Sequence, residues 1–127
     1  MKRLMVRGST TRKLTPSGPT SSGGIVLESV RLKTREESHG FSVERRWEVH
    51  GIVRNDGANT TEATIAFRAY DPRDAVIGVS TPVHVVLAPG ERVPFTEIFL
   101  DRSGDFVLND CDRVHRFDAR IDARAVG

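Results

Sequence analysis

One cysteine, Cys111, stands among 127 residues. A lone thiol cannot close an intramolecular bridge, and a chain of this length can bury enough surface to stand without one. Asp110 and Asp112 flank the sulfur. Their charge raises a thiol's pKa, so a nucleophilic role is not expected of Cys111. Nowhere do about 18 apolar residues run together, which excludes a transmembrane helix. The first residues, MKRLMVRG, are basic like the start of an export signal, but neither an apolar stretch nor a small-residue cleavage site follows. On that reading the chain is intracellular or virion-associated rather than secreted. Aromatic residues make up 6 % of the chain, and Trp47 is the only tryptophan. Three lysines accompany sixteen arginines.

Charge is unevenly distributed. Residues 1–24 hold Lys2, Arg3, Arg7, Arg12 and Lys13 and no acid, a charge of +5, which leaves −3 on the rest of a chain whose net charge is +2. Residues 8–24, GSTTRKLTPSGPTSSGG, contain almost nothing to bury. Alone, such a segment cannot offset the entropy of ordering it. The sequence therefore divides into a basic arm, residues 1–24, and a body, residues 25–127. A basic arm on a mildly acidic body suits contact between copies, an acidic partner surface or nucleic acid.

From Ile25 the pattern is that of strands. Ile25–Leu32 is a first candidate, followed by a polar connection, TREESHG, over 34–40. Over 43–55, Trp47, Val49, Gly51 and Val53 alternate with Arg46, Glu48, His50 and Arg54. Period-two alternation marks a half-buried strand. Trp47 is then a core residue. Ala63, Ile65, Phe67 and Ala69 repeat the pattern, and two short strands follow over 75–80 and 82–87. Pro94, within the strand expected over 92–100, implies an edge position or a bulge. Residues 101–112 read as a loop around one apolar knot, Phe106-Val107-Leu108. Phe117, Ala119, Ile121, Ala123 and Ala125 close the chain, alternating with Arg and Asp. About seven strands, frequent turns and no helix indicate an all-β, immunoglobulin-like antiparallel sandwich.

Three segments carry a family resemblance: Gly51-x-Val53-x-Asn55, Phe67-Arg68-Ala69-Tyr70-Asp71, and Leu87-Ala88-Pro89-Gly90-Glu91 with Phe95 four residues on. Over roughly residues 43–100 the chain resembles the FxLYD family of bacterial and archaeal immunoglobulin-like domains, with Ala69 at the leucine place. The resemblance implies a non-enzymatic module, of a kind often attached to exported or membrane-anchored proteins. Read as residues, all of these have scaffold roles. Gly51 leaves room for a core aromatic, Asn55 caps a turn through its amide, Tyr70 and Asp71 end a strand, and Pro89-Gly90 sets a tight hairpin.

Motifs for chemistry are lacking. His39, His50, His84 and His115 have no zinc-ligand spacing, and there is no nucleophile elbow, P-loop or dinucleotide fingerprint. Asp101, Ser103, Asp105, Asn109, Asp110 and Asp112 share a loop, but the distal glutamate of an EF-hand is missing and polar turn chemistry accounts for them. No enzyme, cofactor, metal or small-molecule substrate is expected. The sequence reads as a structural or interaction protein whose arm orders against a neighbouring subunit, as in a virion decoration protein or a surface filament component. One alternative is a surface or periplasmic recognition module for a protein, peptide or carbohydrate, using Phe41, Tyr70 and Phe106. Another is an arm that binds nucleic acid through salt-sensitive phosphate contacts, although no aromatic in it could stack on bases.

Overall fold

A computed structural model describes residues 9–11, 14–108 and 113–126. The protein is all-β. Among the described residues there are nine strands: β1 (Ser9–Thr11), β2 (Ser21–Ser22), β3 (Ile25–His39), β4 (Ser42–Asn55), β5 (Thr61–Tyr70), β6 (Val76–Ser80), β7 (Val83–Leu87), β8 (Arg92–Asp101) and β9 (Arg116–Ala125). All strand pairs are antiparallel. They form one curled nine-stranded sheet made of two ladders. In the first, β3 and β4 pair along their length, with β1 and β2 on the outer edge of β3. In the second, β5 pairs with β9 on one side and with β7 and β6 on the other.

Strand β8 joins the ladders. Residues 92–98 pair with β4, and residues 99–101 pair with β6. Pro94 lies opposite Ile52, in the stretch that pairs with β4 alone, where a missing N–H costs least. The concave faces of the ladders meet over one core. Phe95 of the first stacks on Phe67 of the second at 5.7 Å between centroids, and Phe117 of β9 lies 6.1 Å from Phe67. Trp47, Val49, Val53, Ile65 and Phe99 fill the remainder.

Strand β3 runs further than its polar sequence indicates. Residues 34–39, expected as a connection, pair residue by residue with 47–42 of β4. Backbone pairing makes this hairpin, with no apolar alternation to signal it. Near its base β3 carries a bulge between Glu28 and Arg31, with Ser29 at a φ of 55°. The bulge places two residues against one and switches the alternation, so Ile25 and Leu27, then Val30 and Leu32, all point into the core.

Residues 14–24 of the basic segment lie on the body. Ser21 and Ser22 pair with Val26 and Ile25 through a two-residue turn, Gly23-Gly24, both at positive φ (58° and 87°). Positive φ at both positions is the turn that a tight hairpin prefers, and glycine supplies it without steric cost.

Candidate functional site

The most developed polar site lies where the arm crosses β9. Phe117 C=O accepts the Ser17 N–H at 2.8 Å and the Ser17 hydroxyl at 3.1 Å. Ser17 bridges Asp118 in parallel, so the arm runs in the same direction as β9. Further along, the arm approaches β9 again, where a Cβ on Gly23 would stand 3.1 Å from Ala123 Cβ. In an antiparallel ladder both backbone groups of a residue point the same way. The backbone N–H and C=O of Phe117 point away from β5, and by the alternation of the ladder so do those of Ala119, Ile121 and Ala123. The arm thus lies along an edge that would otherwise be open. It also occupies the edge of β3 through β1 and β2, and Leu14 packs against the core. Residues 9–11 and 14–24 close a seam between the two ladders, opposite the side that β8 joins.

Side chains on the outer face of β5 and β9 hold the crossing. The Arg116 guanidinium lies over the Tyr70 ring at 3.8 Å, with Arg68 at 5.6 Å. Arg116 Nε donates to Asp74 at 2.9 Å, and Nη1 donates to Ser17 Oγ at 3.2 Å. The Tyr70 hydroxyl donates to Asp118 Oδ2 at 2.9 Å. Burial first, then Asp118, push the Tyr70 pKa up, so the phenol stays a neutral donor. The bond it donates to Asp74 is the main cause that raises the Arg116 pKa. Tyr70 is buried rather than an exposed loop aromatic, because two guanidinium groups cover its ring.

The remaining motif residues are scaffold hubs. Asn55 is fully buried. Its Nδ2 donates to Leu87 O at 2.8 Å and to Asn59 O at 2.9 Å, and its Oδ1 accepts from Gly57 N at 2.8 Å. Its backbone bonds to Gly90 N and Glu91 O fix the Pro89-Gly90 turn, where Gly90 has a φ of 83°. Gly51 lies beneath the Phe95 ring, where an added Cβ would stand 2.7 Å from Cζ. Asp71 Oδ1 accepts from Arg73 N and Ala75 N, and Oδ2 accepts from Arg113. The backbone bond from Ala75 is the main cause that holds its carboxyl below the ordinary range. Val53 and Phe67 are core residues.

Lys2, Arg3, Arg7, Arg12 and Lys13 lie outside the described residues, as do Asn109, Asp110, Cys111 and Asp112. Of the acidic loop, Asp101 Oδ1 is taken by Ser103 N, Ser103 Oγ and Gly104 N. These bonds, that of the Ser103 hydroxyl first, lower its pKa. Among the described residues no three His, Cys, Asp or Glu side chains converge as metal ligands. His50 sits between Glu48 (3.0 Å from Nε2) and the Thr96 hydroxyl (3.1 Å from Nδ1) on the exposed face of β4 and β8. His84 meets Thr64 Oγ1 at 2.9 Å.

Two surface features were not legible in the sequence. One is Ser17, an ordinary serine in a Ser/Thr/Pro-rich stretch. The other is a cleft of about 410 Å³ lined by Asp71, Ile77, Arg102, Phe106, Leu108 and Arg113 among others. Leu108 enters the core over Gly78, whereas Phe106 stays 71 % exposed on a turn pinned by the Asp101 N–H to Phe106 O bond.

No family model, no curated protein and no solved structure matches this chain.

Proposed function

We propose that the protein is a non-enzymatic structural or interaction protein, and that its basic arm docks on a neighbouring subunit. The observation that carries this reading is the seam. Among the described residues its contacts to the arm include backbone bonds, Ser17, Leu14 and Arg116, a surface that receives an extended segment. The five basic residues all lie at or before Lys13, ahead of the crossing at Ser17, on a chain whose remainder carries −3. That imbalance draws the arm of one copy toward the body of another.

The test keeps the chain at full length. Lys2, Arg3, Arg7, Arg12 and Lys13 are each replaced by Gln, and the solution mass is measured by light scattering, with absorbance read for bound nucleic acid. The expected result is assembly of the unaltered chain, free of nucleic acid, and a monomeric variant. Two monomers would overturn the reading. Nucleic acid bound to the unaltered chain alone would transfer the arm to phosphate recognition.

The cleft at Phe106 favours a second reading, a recognition module. An exposed aromatic in a cleft lined also by Ile77, Val107 and Arg102 is what an interface anchor needs. Loss of every protein association on Phe106→Ser, with the arm intact, would favour this reading over the first.

A further inference from the structure

Resting on the arm-docking reading, we infer that the receiving surface on the neighbour is the β3–β9 seam itself, and that copies exchange residues 1–17 about a hinge at Gly18-Pro19. The seat already exists and its occupant is known. It comprises the β3 edge at Lys33–Arg35, which pairs with Ser9–Thr11, and the Phe117 carbonyl, which takes Ser17. Arg116 and the core wall around Leu14 complete it. None of these contacts depends on which copy supplies the segment.

The hinge is where the chain changes allegiance. After it, Ser21–Ser22 stay with their own β3 through the Gly23-Gly24 turn, a two-residue connection that keeps the pair in one chain. Before it, the contacts of the described residues Ser9–Thr11, Leu14 and Ser17 are to residues far away in sequence. Gly18 has a φ of 80°, and a Cβ there would meet nothing within 4 Å. The residue before a proline favours an extended backbone. Straightening Gly18 thus relieves a turn and swings residues 1–17 away without breaking a packed contact at the hinge. Exchange between identical chains keeps every bond of the closed form and adds the contact between bodies. The exchanged segment carries all five basic residues of the arm onto a body of charge −3.

The test uses a cysteine pair across the crossing, Ser17→Cys with Asp118→Cys, in a chain with Cys111→Ser. The assembled fraction is oxidised and run without reductant. Exchange predicts covalently linked chains. Only intramolecular bridges in an assembled fraction would overturn the exchange and leave arm docking standing. No assembly of the unaltered chain at any concentration would overturn both. Because Asp118→Cys removes the acceptor of Tyr70, the unaltered protein is tested in parallel. Heavy-isotope and light chains are mixed under conditions that allow reassembly, then joined by a zero-length carbodiimide. Mixed heavy–light peptides linking residues 1–17 to β3 or β9 support exchange, and solely same-chain links exclude it. Pro19→Gly is expected to reduce the linked fraction, because Gly18 then loses its preference for an extended backbone.

Discussion

The side-chain amide of Asn55 donates to the main-chain oxygen of Leu87 across 2.8 Å of fully buried space. Asn55 ends β4 in the first ladder and Leu87 ends β7 in the second. A single side chain therefore ties the two ladders together at one end of the core. The same amide also bonds Asn59 O and Gly57 N, so removing it takes a partner from Leu87 O and Gly57 N, while Asn59 O keeps the Thr61 hydroxyl at 3.0 Å. Asn55→Ala should cost about 2–4 kcal/mol, since each buried group left unpaired costs roughly 1–3 kcal/mol and the loop can relax toward water. Asn55→Asp should cost more at neutral pH, because a carboxylate would face two carbonyl oxygens, and should recover in acid as it protonates. Urea unfolding of both variants at two pH values checks this. Equal losses at both pH values would refute the assigned amide orientation.

Gly51 illustrates a constraint of space. It lies opposite the β3 bulge, with Phe95 Cζ at 2.7 Å and Val30 Cγ2 at 3.0 Å from the place of a Cβ. Gly51→Ala should destabilise by about 1–3 kcal/mol, the usual cost of overpacking a filled core. Phe95→Leu in the same chain should return part of that loss, because the clashing ring atoms are gone. A double-mutant cycle by thermal unfolding measures the coupling. Additive losses would show that Phe95 is not what fills the space over Gly51.

Asp71 sets an acid limit. Its bonds from Ala75 N, Arg73 N and Arg113 hold the folded carboxyl below its ordinary value of 3.8. A carboxylate depressed by folding contributes stability that is fully present above the unfolded pKa. That stability is lost as the pH falls from about 4 through the lower folded value. Asp71→Asn should thus lower stability at neutral pH and flatten its fall below pH about 4. Unfolding midpoints measured from neutral pH downward test this, and an unchanged acid slope would show that Asp71 does not set it.

Much of the fold is legible in the sequence, for identifiable reasons. Strands β5 and β9 alternate cleanly because one face of each meets the core, at Phe67 and Phe117. The distal half of β3 is not legible, because TREESH has no apolar face and is held by main-chain pairing to β4. Strands β1 and β2 escape notice for the same reason, since Ser and Thr pair there through the backbone, and Ser21 and Ser22 stay exposed. Tyr70 reads as a strand-end aromatic, but its burial comes from Arg68 and Arg116, whose charges give no apolar signal. The candidate site depends on Ser17 meeting Phe117, one hundred residues away. No local pattern in one sequence could join them.

Arg116 couples the outer face to the arm, since it lies on the Tyr70 ring and reaches Ser17 Oγ. Arg116→Ala should loosen residues 14–24 with little effect on the core. A cation over an aromatic ring contributes about 0.5–2 kcal/mol, and the bond to Ser17 a further fraction of that. Limited proteolysis should cut the variant faster within 14–24, while global unfolding shifts by no more than about 2 kcal/mol. Arg116→Lys should restore little, because a point charge cannot lie flat on the ring and also reach Asp74 and Ser17. Unchanged cleavage within 14–24 would remove Arg116 from the account of the seam.

How much of the arm is removed should decide the fate of the body. A chain beginning at Leu14 keeps the leucine, the Ser17 crossing and the β2 pair, so β9 and the base of β3 remain covered. A chain beginning at Ile25 exposes the Phe117–Ala123 edge and the Ile25–Val26 edge together. Open edges on exposed strands pair with other chains. The alternating Arg120, Asp122 and Arg124 side chains blunt the β9 edge only in part, because opposite signs on a second copy can also meet. The chain from Leu14 should therefore stay soluble, and the chain from Ile25 should form polydisperse aggregates whose light scattering grows with concentration. A monodisperse, stable chain from Ile25 would mean that the arm does not guard these edges, and the seam would lose its role as the seat of the arm.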